Sequence, residues 1–291
     1  MFTALIVEPF GWVLKLCYNL IGNYGLSIII FSVIAKLVTL PFQMKSKKSM
    51  MDMQRLQPKL AELEKKYKDD KERYSLEVQK LYKKEGVSMF GGCLPMLIML
   101  PIMIGLYSVV RQPLTYIFDI SPEQIQALAD AFAAAGAKIT TQGGYMLQID
   151  VAKNLAAYPD IVASIAPNLV DLDFTFLGIN LSEIPNFRAS IKPFIVSEWL
   201  LWIIPVLSGL TAWLSNWFIR RSQGKPMTEQ AAATNGMMNW MMPAMSVWIA
   251  FMVPAGLGLY WIVSNILSAV QEPLLSAYYK KKAEKKEEEV K

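Results

Sequence analysis

Four stretches of this chain carry no charged side chain, and they decide what it can fold into. They lie between Lys15 and Lys36, Glu85 and Arg111, Glu198 and Arg220, and Glu229 and Glu272, and hold 20, 25, 21 and 42 residues. A helix crosses the hydrocarbon core of a bilayer in about 20 mostly apolar residues, so three gaps hold one crossing each and the last holds two. Only 18% of the 291 residues are charged, against about a quarter in soluble domains. The pattern predicts an all-α polytopic membrane protein with five transmembrane helices.

Span one covers about Gly22 to Phe42, and its Leu/Ile/Val-rich stretch ends at Pro41. Span two runs about Met89 to Val110, and span three about Glu198 to Ile219. The long gap divides near Pro254-Ala255-Gly256, where Pro and Gly permit a tight reversal. The chain thus reads as an outer interfacial helix (1–21), transmembrane helix one (22–43) and a cytoplasmic helical hairpin (44–88). Transmembrane helix two (89–111), an extracytoplasmic, mainly helical insert (112–196) and transmembrane helix three (197–219) follow. A cytoplasmic loop (220–235), transmembrane helices four and five (236–272) and a charged cytoplasmic tail (273–291) complete it.

The orientation comes from the flanks. Residues 44–88 hold 13 basic and 8 acidic side chains, whereas residues 113–195 hold 4 and 8. The 220–235 segment and the tail are also net basic. Basic segments stay in the cytoplasm, which puts the N-terminus outside and the C-terminus inside. Before span one, Phe2, Leu5, Ile6, Phe10, Val13, Leu14 and Cys17 fall near helical spacing, broken by Pro9 and Gly11. That pattern suits a short helix lying along the outer interface. The segment has no basic cluster and predicts no cleaved signal peptide.

In the hairpin, Met53, Leu56, Leu60, Leu63 and Tyr67 recur at steps of three and four, which puts them on one face. Lys59, Glu62, Lys65, Lys66 and Lys68 cover the rest. Lys68-Asp69-Asp70-Lys71 marks the turn, and Tyr74, Val78, Leu81 and Tyr82 face back from a return helix that stops at Gly86. An ordinary connector needs only a few residues, so this element reads as a mobile docking or regulatory device as well as a link. In the insert, Ser121-Pro122-Glu123 caps a helix carrying Ile125, Leu128, Ala129, Phe132 and Ala133, closed near Gly136. A second helix is predicted over Tyr145–Tyr158, and Asp171–Leu181 reads as irregular.

The chain has no histidine, which removes His-based zinc sites, the Ser-His-Asp triad and His proton relays. Cys17 and Cys93 are isolated in apolar runs and read as small buried hydrophobes. No metal and no cofactor is implied, and no GxxxxGK[ST] phosphate loop is present.

Lys36 is the most informative residue. A lysine at the centre of a lipid-embedded helix costs about 2.5–3.5 kcal/mol on insertion scales. Two outcomes are open. Pro41 is only about 7.5 Å further along the axis, so the amine can snorkel to the headgroups; or it lines a water-filled cavity open to the cytoplasm. Span three carries Ser208, Thr211, Ser215 and Asn216, and span five carries a polar stripe of Tyr260, Ser264, Ser268 and Gln271. Hydroxyls and amides also serve as glue between membrane helices, but a stripe together with an intramembrane charge favours the cavity. No Asp or Glu lies deep in a span, which argues against a proton-driven pump. Met is abundant, with Met96, Met99 and Met103 on span two and Met237, Met238, Met241, Met242 and Met245 on span four. Such side chains adapt to varied partners but also serve as plain filler.

These features together resemble the YidC/Oxa1/Alb3 family of membrane protein insertases, in its short five-span bacterial form of the Gram-positive type. The matching stretches are GLSIIIFSVIAKLVTLPFQMKSKKSM (25–50), MQRLQPKLAELEKKY (53–67), GGCLPMLIMLPIMIGLY (91–107) and MMPAMSVWIAFMVPAGLGLYWIVSNILSAVQE (241–272). The resemblance implies a helical bundle in the bacterial plasma membrane with a hydrophilic groove open to the cytoplasm. The family's basic groove residue falls on Lys36, where arginine is usual; lysine keeps the charge but loses the planar fork. Its aromatic groove residues fall on Tyr260 and Trp261, and the hairpin around Lys59 carries over as the flexible element needed for activity.

The implied function is insertion and chaperoning without enzymatic chemistry. A short polar segment of a new chain enters the groove, attracted to Lys36, while its apolar helix passes into lipid along spans three and five. The implied partners are nascent membrane proteins and the bilayer, with the ribosome and the Sec translocon as candidates; no nucleic-acid motif and no small-molecule substrate is implied. Residues assigned to groove and client contact are Lys36, Thr211, Ser215, Tyr260, Trp261, Ser264, Ser268 and Gln271. The rivals are a passive assembly scaffold, a small-solute transporter or channel, which should show repeated halves or ion ligands, and an intramembrane enzyme pairing Lys36 with Ser32 or Ser264.

Overall fold

The computed structural model describes residues 7–87, 104–105, 107–139, 146–169, 172–185, 196–223 and 229–289. Span two with Met96, Met99 and Met103, the 91–107 motif, Cys93, and Phe2, Leu5 and Ile6 fall mainly or wholly outside them. The described chain is helical: α1 (Glu8–Ile21), α2 (Tyr24–Arg55), α3 (Gln57–Lys66), α4 (Lys71–Glu85), α5 (Pro113–Phe118), α6 (Pro122–Ala134), α7 (Leu147–Asn154), α8 (Pro159–Ile165), α9 (Val196–Gln223), α10 (Glu229–Ala250) and α11 (Ala255–Glu289). One two-stranded antiparallel pair, β1 (Thr175–Phe176) and β2 (Ile179–Asn180), falls where the sequence suggested irregular chain. Its tight turn is made by Leu177 and Gly178, both at positive φ.

Burial is inside out for a soluble protein. On α2, Leu26, Ile30, Val33 and Leu37 form an exposed apolar stripe at helical spacing, while Ser27 and Ser32 are buried. On α9, Trp199, Ile203, Val206 and Leu210 are exposed, while Ser208, Thr211 and Ser215 are buried. Two apolar helical stretches, within Tyr24–Lys66 and Trp199–Ser222, are long enough to cross a membrane, and only 33% of each is buried inside the protein. Apolar surface of that extent is stable against lipid, with small polar residues kept for helix packing. A further apolar helix, Trp240–Ala250, is shorter.

The chain divides into two compact units. The first comprises Met1–Ala35, Pro101–Leu207 and Trp248–Val263. Its core collects Leu14, Tyr24, Ile28, Phe31, Leu128 and Phe132. Pro9 does not break α1; it occupies the first turn, where a missing N–H costs nothing. Gly11 is accommodated because the Tyr116 ring lies against it, leaving no room for a Cβ. The Ser121 capping box with Gln124 opens α6, which buries Ile125, Leu128, Ala129 and Phe132. The second predicted helix of the insert, α7, ends at Asn154, and Tyr158-Pro159 starts a third, α8. The N–H groups of Ala255 and Gly256, orphans at the start of α11, donate to the carbonyls of Glu183 and Leu181 at 2.8 Å each. Gly256 also lets Ile28 and Tyr24 approach closely.

The second unit comprises Lys36–Leu100, Ser208–Val247 and Ser264–Lys291. Here α2 continues through Pro41, where the Leu/Ile/Val-rich stretch ends, and on to Arg55. Proline inside a helix removes one hydrogen bond without ending the helix. Leu56 interrupts the helix before α3, whose first turn takes Pro58. The helices α3 and α4 form an antiparallel hairpin closed by Leu56, Leu60 and Tyr82, with Met53, Val78, Leu81 and Val87 packed around them. Asp70 caps α4 by accepting from the Arg73 N–H at 2.9 Å, and Gly86 ends it in the left-handed conformation.

Candidate functional site

Six of the eight groove residues inferred from the sequence fall in the second unit: Lys36, Thr211, Ser215, Ser264, Ser268 and Gln271. α2 carries Lys36 and α11 carries Ser268, and the lysine ammonium donates to the serine hydroxyl at 2.6 Å. Ser268 in turn donates to the Ser264 carbonyl one turn back, at 2.8 Å. The ammonium is thus fixed at a hydroxyl, with no carboxylate among its described hydrogen-bond or ion-pair partners. Three N–H donors on one ammonium exceed one hydroxyl's capacity, so the charge keeps binding capacity for water or an anion.

Gln271 lies on the same face of α11, one turn beyond Ser268. Both polar atoms of its amide are buried, and neither has a hydrogen-bond partner among the described residues. A buried amide left unpaired costs about 1–3 kcal/mol per group, so the position is stable only where water or a polar chain can reach it. On α9, Thr211 accepts from the Asn265 amide at 3.4 Å, Ser208 meets the Ser246 hydroxyl of α10 at 2.8 Å, and Ser215 is buried. Polar side chains from α2, α9, α10 and α11 therefore line the interior of this unit. Tyr260 and Trp261 belong to the first unit, where Tyr260 is part of the hydrophobic core and Trp261 packs against it.

The sequence reading missed a second polar cluster. Lys47 on α2 forms an ion pair with Glu272 on α11, and both side chains are largely closed to solvent. Lys47 also donates to Ser222 at the end of α9 at 2.9 Å, and Ser222 and Ser276 both reach the same carboxylate. The Tyr279 hydroxyl donates to the Met44 carbonyl at 2.9 Å, tying α11 to α2 again. The signal was present, since Glu272 ends the longest charge-free stretch and Lys47 belongs to the first basic cluster after span one. In the sequence reading Glu272 served as a boundary and Lys47 as one of the basic residues counted over 44–88.

In the hairpin, Leu56 and Leu60 are buried, Met53 packs on them, and Leu63 and Tyr67 are half-buried. Tyr67 lies beneath the charges of Lys66 and Arg73, at 5.3 and 5.7 Å from its ring centre. Lys59 pairs with Glu85 across the two helices, and that hydrogen bond holds the Glu85 carboxyl below its ordinary range. Burial raises the Tyr82 hydroxyl above its ordinary value.

Against known proteins, a family model described as "60Kd inner membrane protein" matches residues 16–283. A membrane protein insertase YidC of Fusobacterium nucleatum subsp. nucleatum is 24% identical over 268 residues, covering 92% of this chain and 93% of that protein. One from Pelodictyon phaeoclathratiforme is 31% identical over 272 residues, 93% of this chain but 36% of its own length. One from Geobacter sp. (strain M21) is 49% identical over 102 residues, 35% of this chain. The chain thus spans about a third of the Pelodictyon protein and about a fifth of the Geobacter one.

Proposed function

The chain belongs to the 60Kd inner membrane protein family, the multi-pass membrane proteins that include the YidC insertases, and we propose that it is itself an insertase and chaperone of the short five-span bacterial form. The observation that carries this is the Lys36–Ser268 hydrogen bond, a charge held on a hydroxyl within the otherwise charge-free 22–42 stretch. The Fusobacterium relative, matched over 93% of its own length, is similarly short.

In the proposed orientation the N-terminus is outside the plasma membrane and the hairpin, the 220–235 loop and the tail are cytoplasmic. Lys36, Thr211, Ser215, Ser264, Ser268 and Gln271 line a wet groove that opens to the cytoplasm, and Tyr260 and Trp261 are further client contacts. A client's short polar segment enters this groove and replaces water at Lys36 and at the Gln271 amide. An acidic segment gains most, because the ammonium offers it a countercharge. Each backbone polar group hydrated or paired there avoids a cost of several kcal/mol in hydrocarbon. The client's apolar helix then moves into lipid, and its burial drives the process without a nucleotide. The hairpin, with Met53, Leu56, Lys59, Leu60, Leu63 and Tyr67, meets the arriving chain, with the ribosome and the Sec translocon as further partners.

The test is reconstitution of the purified chain alone in liposomes with a single-span client bearing a short outer segment. Insertion is read as protection of that segment from added protease. Protection supports the insertase, whereas client that binds the liposomes but stays fully digestible points to a passive scaffold.

A further inference from the structure

A cavity of about 500 Å³ lies at the foot of the helical hairpin, entirely within the second unit. α2 contributes Lys48, Asp52 and Arg55, which stand on one face at i, i+4 and i+7. The end of α4 contributes Glu85, and α11 contributes Tyr279 and Lys282. Among the described residues, Lys48, Arg55 and Lys282 have no ion-pair partner. Glu85 is already neutralised by Lys59. Three cations therefore face Asp52 alone, an excess of two positive charges around one concave surface. The remaining wall is apolar, from Met51, Leu56 and Val87.

We propose that this cavity binds a phosphate-bearing anion. A phosphate monoester carries about −1.5 to −2 charges at neutral pH, which matches the excess. The Arg55 guanidinium can grip two of its oxygens as a fork, and the two lysines serve as point charges. The apolar wall suits the organic part of an ester. Such a group comes either from an anionic lipid headgroup or from a soluble phosphate. The lipid source rests on the proposed membrane orientation, which puts this end of α2 just beyond the inner headgroups; the binding itself does not.

The experiment reads binding and not insertion, so its outcome is separable from that of the insertase reaction. The full chain is melted in detergent with inorganic phosphate against chloride of equal ionic strength. It is also melted in vesicles of phosphatidylcholine with and without phosphatidic acid. The expected result is a saturable rise of a few degrees in at least one arm. A rise only with inorganic phosphate assigns a soluble ligand, and a rise only with phosphatidic acid assigns a lipid. The combined variant Lys48→Gln/Arg55→Gln/Lys282→Gln removes the rise. Lys48→Gln and Lys282→Gln, each alone, raise the half-saturating concentration by about tenfold, which keeps the test decisive if the triple variant does not fold. Lys65→Gln/Lys68→Gln/Lys71→Gln, at the far end of the hairpin, removes equal charge and keeps the rise. No rise in either arm overturns the proposal, and so does an equal loss in the far-end variant.

Discussion

Lys47 on α2 and Glu272 on α11 stand 225 residues apart in sequence and form an ion pair whose side chains are only 4% and 14% exposed. With Ser222 and Ser276 they tie α2, the end of α9 and the middle of α11 into one polar knot. The desolvation of two charges offsets most of their attraction, but removing one partner leaves the other buried and unpaired.

Glu272→Ala or Lys47→Ala alone is therefore expected to destabilise the protein by about 3–5 kcal/mol. The paired apolar replacement Lys47→Met/Glu272→Leu should recover most of that loss. Thermal unfolding of the four proteins in detergent checks it. A double variant no better than the singles would show that the knot is a net source of stability.

Acid should loosen the hairpin through Glu85. Its carboxyl is held below the ordinary range by the Lys59 hydrogen bond, so the folded hairpin binds that proton less readily than the open one. The contribution is fully present above about pH 4.3, the ordinary carboxylate value, and is lost as pH falls through the lower folded value. Energy-transfer labels on the outer faces of α3 and α4 should report opening over that acid window. Glu85→Gln should remove part of the pH dependence and weaken closure at neutral pH.

Gln271 separates a wet interior from a dry one. With both amide atoms buried and unpartnered, Gln271→Leu removes a desolvation cost and should leave thermal stability unchanged or slightly raised. Client insertion should fall several-fold, because the amide that replaces water for a client backbone is gone. A clear drop in stability with normal insertion would assign Gln271 to packing.

The membrane character of the chain was legible because charge is so costly in hydrocarbon that its absence over 20 residues is hard to misread. The Ser121 cap was legible because a capping box is a local contact three residues long. Pro41 marks the end of the apolar stretch but not of the helix, since a proline signals a lost hydrogen bond and the flanking turns decide whether the helix continues. The β1–β2 turn escaped because strands of two residues are too short for alternation to register. Lys36 could be singled out from sequence, but its partner could not: Ser268 lies 232 residues away and is one of several hydroxyls on that helix face. Lys47 and Glu272 were each visible as charges beside apolar stretches, but their pairing was hidden for the same reason, because long-range pairing leaves no mark on spacing.

The most direct test of the central claim is insertion of a single-span client with a short acidic outer segment by proteins carrying Lys, Arg, Ala or Glu at position 36, alone in liposomes. Protection of the acidic segment from protease should be retained with Lys36 and Lys36→Arg, fall in Lys36→Ala and fall furthest in Lys36→Glu. Equal protection in all four, with each protein folded and correctly incorporated, would contradict the charged groove and leave Lys36 as a residue that only anchors α2 at the membrane surface.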